Sequence, residues 1–223
     1  MTLGKVIAHI RVIEFQKRGL PHAHILLIMH IDDKPRTMDD VDTAVSAEIP
    51  DPDLSPLAHA TVTKHIMHGP CGQLDKEAVC MVNDVCSKNF PHPFSTTTRS
   101  DNSGYPKYRR RDDGKEATKN GCRLDNRWVV PHNVYLCTKY NAHINVEVCT
   151  TVSAVKYLYK YVYKGHDRAS VSMTRNATTV IAATATATII TTTINKCKVR
   201  AEVELLAQID ICIAQHFGGI AIG

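Results

Sequence analysis

The chain opens with two alternating stretches. From Lys5 to Phe15, apolar and polar positions exchange regularly enough to predict a β-strand. Lys17-Arg18-Gly19-Leu20-Pro21 reads as a turn, and 22–30 as a second strand, so the two form a hairpin with a short loop. Residues 31–60 are acidic and proline-bearing; they fit a short helix near 38–48 or, equally, a solvated linker. Residues 61–95 gather cysteines and histidines, and 99–128 are polar and basic. Strand-like runs return at Trp128-Val129-Val130 and at Ile144-Asn145-Val146-Glu147-Val148.

Residues 152–164 fit two periods. Tyr157 and Tyr161 stand four apart, with Lys164 three further on, which puts them on one face of a helix. Val155, Tyr157, Tyr159, Tyr161 and Tyr163 also suit an aromatic strand, and spacing does not choose between the two. From Thr178 to Thr193 the chain is almost wholly Thr, Ala, Ile and Val. Such a run has β propensity but little variety to specify a partner, so 169–223 reads as a poorly specified tail.

Candidate chemistry begins in the hairpin. His22 and His24 lie one residue apart on an apolar strand, so their imidazoles project from the same face. Glu14 has matching parity on the neighbouring strand, and antiparallel pairing brings it to that face. Two nitrogens and one carboxylate suit a divalent cation such as Mg²⁺ or Mn²⁺. Gln16, nearer the turn, is the weaker oxygen donor. A His-x-His pair is also often no more than the polar side of a strand.

Cys71, Cys80 and Cys86 lie beside His65, His68 and His92. Eight residues separate the first two cysteines and five the next two, looser than a tight zinc knuckle. Cys71, Cys80 and Cys86, completed by His68 or else by His65 or His92, are the candidate structural Zn²⁺ set, against packed, unligated thiols. Cys122, Cys137 and Cys149 are expected in the core. Tyr105-Pro106-Lys107-Tyr108-Arg109-Arg110-Arg111 mixes cations with stackable rings, which suits single-stranded DNA or merely a solvated loop. Lys107, Arg109, Arg110, Arg111 and Lys160 are the candidate DNA contacts.

Lys and Arg total 27 against 22 Asp and Glu, a net charge of +5 that permits a nucleic-acid partner without requiring one. The absence of a long apolar run argues against a membrane partner and a signal peptide. Clustered Cys and His argue for reduced thiols. An intracellular, nuclear setting is the expectation.

The chain then shows a run of blocks in fixed order. Glu14 to Leu27 comes first, then His68-Gly69-Pro70-Cys71-Gly72 and Cys86-Ser87-Lys88-Asn89-Phe90-Pro91. Gly104 to Arg111, Leu124 to Pro131, Lys139 to Cys149 and Lys156 to Arg168 follow. Together they resemble the Helitron helicase-like domain of Helitron rolling-circle transposases, over about residues 5–168. The resemblance implies a replication-initiator (HUH/Rep-type) nuclease, incomplete at its N-terminus, with a Cys/His insertion at about 61–95. It implies metal-binding histidines at His22 and His24, with Glu14 by looser analogy, and nucleophiles at Tyr157 and Tyr161. By residue chemistry, Lys160 and Lys164 would lower a tyrosine's proton affinity or, equally, contact phosphate.

The expected fold is α+β, an antiparallel sheet with packed helices. The activity implied is metal-dependent nicking and strand transfer of single-stranded DNA through a 5′-phosphotyrosine. The alternatives are an inactive transposon relic and a DNA-binding module. No Gly-x-x-x-x-Gly-Lys-Ser/Thr loop occurs, so the helicase of the relatives is not expected of this chain.

Overall fold

The computed structural model describes residues 3–15, 21–100, 105–149 and 208–214. The hairpin forms as its alternation predicts. β1 (Val6–Phe15) and β2 (Pro21–Met29) pair antiparallel, with Glu14 opposite His22 and Val12 opposite His24. A register shift near Val6 and Ala8 marks an irregularity at the far end of β1.

The acidic segment is not a bare linker. It forms α1 (Met38–Ala44), which starts at a capping box in which the Thr37 side chain accepts from the Asp40 N–H and the Asp40 carboxylate accepts from the Thr37 N–H. Beyond it, Val45, Ala47 and Ile49 are buried. α2 (Pro56–His65) begins with proline in its first turn, where a missing N–H costs nothing. The Cys/His segment carries two minimal strands, β3 (Met81–Val82) and β4 (Val85–Cys86). The basic segment forms a hairpin of β5 (Glu116–Lys119) and β6 (Cys122–Asp125).

Trp128-Val129-Val130 is not a strand. A short 3-10 turn at Asn126–Trp128 precedes an isolated bridge from Val129 to Met67. α3 (Val134–Tyr140) is capped by the Asn133 side chain and ends at Asn141 in the left-handed region.

β7 (His143–Cys149) falls where the alternation places it. β8 (Gln208–Ala214) comes from the stretch read as unspecified tail. It lies between β2 and β7, parallel to both, giving the order β1-β2-β8-β7. The fold is α+β as expected; among the described residues the four-stranded sheet is mixed, with β1/β2 antiparallel and the β2/β8 and β8/β7 pairs parallel. A parallel neighbour needs a long crossover rather than a tight turn, and no local pattern announces it.

Cross-strand partners share a face. Ala23, Leu27, Ile144, Val146, Val148, Ile209 and Ile213 lie on one face and join Val62, Ile66 and Cys137 in the core. The opposite face carries Glu14, His22, His24, Asp210, His143, Asn145 and Glu147. Cys149 is buried in the core as expected, but a disulfide to Cys212 joins β7 to β8, against the expectation of reduced thiols. Among the described residues, no helix is long and apolar enough to cross a membrane.

His132 has no exposed surface, and its Nδ1–H donates to the Val130 carbonyl at 3.0 Å. Burial pushes its pKa from the ordinary 6.5 down to about 4. It therefore binds its proton more weakly folded than unfolded, and its share of stability is present above pH 6.5 and lost as pH falls toward 4. That share is about 3 kcal/mol. Urea midpoints should thus drop between pH 7 and pH 4.5, and His132→Leu should show a shallower slope. Parallel slopes for the two proteins would contradict this assignment.

Candidate metal centre and the cleft above it

The hairpin register fixes the first constellation. Glu14, His22 and His24 present ligand atoms that all lie within 4.8 Å of one another. His22 and His24 are 8 % and 3 % exposed, and their rings sit 4.3 Å apart between centroids. Glu14 Oε2 is 3.6 Å from His24 Nε2. Burial, then the neighbouring His22, lowers the His24 pKa, and the flanking Asp210 and Glu14 carboxylates only partly offset this. His24 is therefore neutral at physiological pH, the state in which imidazole binds a cation. Two buried nitrogens and a carboxylate on one rigid hairpin fit Mg²⁺ or Mn²⁺ in donor chemistry.

Sequence reasoning misses Asp210. It sits beside His24 in the β2/β8 register, with Oδ2 3.0 Å from His22 Nε2 and 3.6 Å from His24 Nδ1. Burial raises its pKa, but the hydrogen bond from His22 and the nearby imidazoles outweigh that, so it stays below the usual carboxylate value. The available signal was Ile209-x-Ile211-x-Ile213, a period-two stripe that makes residue 210 face away from the core. Glu147, on the same face, is pushed upward by burial.

The second constellation is the Cys/His insertion. Ligand atoms of His68, Cys71, Cys80 and Cys86 all lie within 4.8 Å of one another, so these four residues form a group that could hold a metal ion. Cys86 Sγ is 3.4 Å from His68 Nε2. Burial and then hydrogen bonds with the other two thiols push Cys71 up to about 12. At Cys86 burial pushes the same way, but the backbone N–H groups of Phe90 and Lys88 hold the thiol below its ordinary value. Three thiols crowded beside an imidazole suit a thiophilic dication, which would let them ionise together.

Gly69 ties this module to the core. Its φ is +88°, and a Cβ there would lie 2.8 Å from the Trp128 ring. Phe90 stacks on His68 at 4.2 Å and meets His92 edge-on at 4.5 Å.

The insertion and the polar sheet face enclose an open cleft of about 1000 Å³. Asp210, Glu147 and Asn145 line its floor, and Lys88, Arg99 and Lys107 border it from above. Of the basic residues proposed from sequence, Lys107 is solvent-exposed at the cleft. The three arginines are all engaged within the fold. Arg110 is 4 % exposed, and its Nη1 donates to the carbonyls of Val129 at 2.6 Å, Asn126 at 2.8 Å and Ala47 at 3.4 Å. Arg111 grips the buried Glu48 with Nε and Nη2 at 2.9 and 2.6 Å. Arg109 pairs with Asp42 at 3.2 Å and Glu48 at 3.5 Å. Arg110 is thus a buried pin and not a surface cation, while Arg109 and Arg111 are anchored to carboxylates. Tyr157, Tyr161, Lys160 and Lys164 lie outside the described residues.

No curated protein matches the chain. Residues 1–27 match the family described as Helitron helicase-like domain at N-terminus, a span that ends just beyond His24 and so contains Glu14, His22 and His24. Over residues 1–27 the chain is thus similar to the Helitron helicase-like N-terminal domain.

Proposed function

We propose that the chain is part of a Helitron-type transposase that nicks single-stranded DNA and transfers the cut strand. The observation that carries this reading is the convergence of Glu14, His22 and His24 on one face of the hairpin, within the segment that matches the family. A divalent cation held there supplies positive charge to a phosphate oxygen, the main demand of phosphoryl transfer. The buried His22 and His24 hold that charge at a fixed point of the sheet, and Glu14 balances it. The cations at the cleft, Lys88, Arg99 and Lys107, suit a phosphate backbone.

The nucleophile is Tyr157 or Tyr161. Its phenol gives up a proton, its oxygen bonds to phosphorus, the P–O3′ bond breaks, and the departing 3′ oxygen takes a proton. The 3′ hydroxyl is then free, and the DNA 3′ of the cut stays attached to the protein through its 5′ phosphate. The second tyrosine permits a paired transfer. The His68, Cys71, Cys80 and Cys86 group would take Zn²⁺ in a structural role, since the protein supplies four thiolate and imidazole donors.

The test uses single-stranded oligonucleotides labelled at either end, with Mn²⁺. A covalent band is expected from the 3′-labelled strand and a shortened free product from the 5′-labelled one. Both should vanish in His22→Ala/His24→Ala and in Tyr157→Phe/Tyr161→Phe. A folded protein that binds Mn²⁺ yet forms no adduct across varied substrates would replace this reading with that of an inactive relic.

A further inference from the structure

We propose that Asp210, from the C-terminal strand β8, is a direct ligand of the cation centre, so that the donor set is two imidazoles and two carboxylates. This rests on reading His22 and His24 as a divalent-cation site. Three observations carry it. The parallel register sets residue 210 beside His24, on the face that holds His22 and Glu14. One oxygen, Oδ2, lies against ring nitrogens of both histidines, at 3.0 Å and 3.6 Å. The approach is lateral, from the side of the histidines opposite to Glu14, because β2 lies between β1 and β8.

The chemistry favours the same assignment. Two imidazoles and one carboxylate make a nitrogen-rich set, whereas Mg²⁺ and Mn²⁺ prefer oxygen donors. A second carboxylate shifts the set toward those ions and balances both of their charges with protein groups. Asp210 also has a ready route to coordination. The oxygen 3.0 Å from His22 Nε2 can share a cation with that nitrogen in the tautomer that carries the ring proton on Nδ1. The carboxylate is 25 % exposed and opens on the cleft, so the cation and a substrate phosphate can reach it.

The consequence is that a segment 186 residues downstream of His24 completes a centre whose other ligands sit in the first hairpin. Mn²⁺ binding to the full chain, followed by electron paramagnetic resonance and titration calorimetry, tests this without any turnover. Wild type should bind one ion at the hairpin, and His22→Ala/His24→Ala should abolish binding. Asp210→Ala and the near-isosteric Asp210→Asn should each weaken it at least about tenfold. Hydrogen exchange at the β8 amides checks that the strand stays in the sheet, and Asp210→Asn decides if the alanine variant loses it. Wild-type affinity in Asp210→Asn would overturn the ligand assignment and leave the hairpin site standing. Failure of wild type itself to bind Mn²⁺ would remove the cation reading and this inference together.

Discussion

Replacing Arg110 by methionine should destabilise the protein by about 3–5 kcal/mol, a loss as large as truncating a major core side chain. Methionine keeps the apolar stem but offers no donor. The Val129 carbonyl then loses its 2.6 Å partner, and the Asn126 carbonyl keeps only a long 3.4 Å bond from the Val129 N–H. Each buried carbonyl left so costs on the order of 1–3 kcal/mol. Arg110 also passes under the Phe90 ring at 5.9 Å, so its removal loosens the wall of the cleft. Burial lowers its pKa to about 10, still far above neutrality, so the guanidinium remains charged. Lysine should rescue only part of the loss, because one ammonium cannot copy the planar fork. Denaturant titration of the variants measures the effect. A change below about 1 kcal/mol for Arg110→Met would mean that water satisfies those carbonyls and the pin is dispensable.

On the proposed zinc reading of the Cys/His cluster, Cys71→Ser is expected to release the metal and unfold the insertion, lowering the melting temperature on the order of 10 °C. The module has little regular secondary structure of its own. Its two strands are two residues each, and Asn83, Asp84 and Asn89 all sit at positive φ. Structural zinc contributes roughly 10–16 kcal/mol of apparent binding energy in small modules, more than so few hydrogen bonds can replace. Elemental analysis of the purified chain should give one zinc, and a strong chelator should reproduce the melting shift in wild type. A folded chain without zinc, indifferent to chelator, would make the cluster a set of packed thiols.

Local pattern carried the hairpin. Alternation set the first strand and an apolar run the second, and parity brought Glu14 to the face of His22 and His24, since pairing with period two leaves no other face for it. The same logic found β7 at 143–149. The clustering of Cys71, Cys80 and Cys86 pointed to the insertion's candidate ligands, but loose spacing left the fourth open among His65, His68 and His92, of which His68 joins the group.

Arg110 defeated it for a different reason. Charge in a sequence does not say whether a guanidinium faces water or three carbonyls, and Tyr-Pro-Lys-Tyr-Arg-Arg-Arg looks the same in either case. Val129 misled through its β-branched neighbours, because the Asn126–Trp128 turn overrides their propensity. Asp210 was hidden by its distance along the chain. Its strand has a clear stripe, but pairing with β2 is a tertiary event that no window of residues contains.

The position of β8 also dictates the order in which the molecule can be made. Its partners β2 and β7 leave the ribosome long before residues 208–214 do, yet neither can pair with the other, because the strand that separates them has still to be synthesised. During translation the nascent chain therefore exposes two unsatisfied strand edges, one beside the histidines and one on β7. Closing the β2/β8 ladder spans almost the whole polypeptide, a contact order that belongs to slow folders. A chaperone that shields strand edges should matter more to this protein than to one with a meandering sheet. A nonsense codon anywhere before residue 208 should yield an aggregation-prone product rather than a smaller working domain.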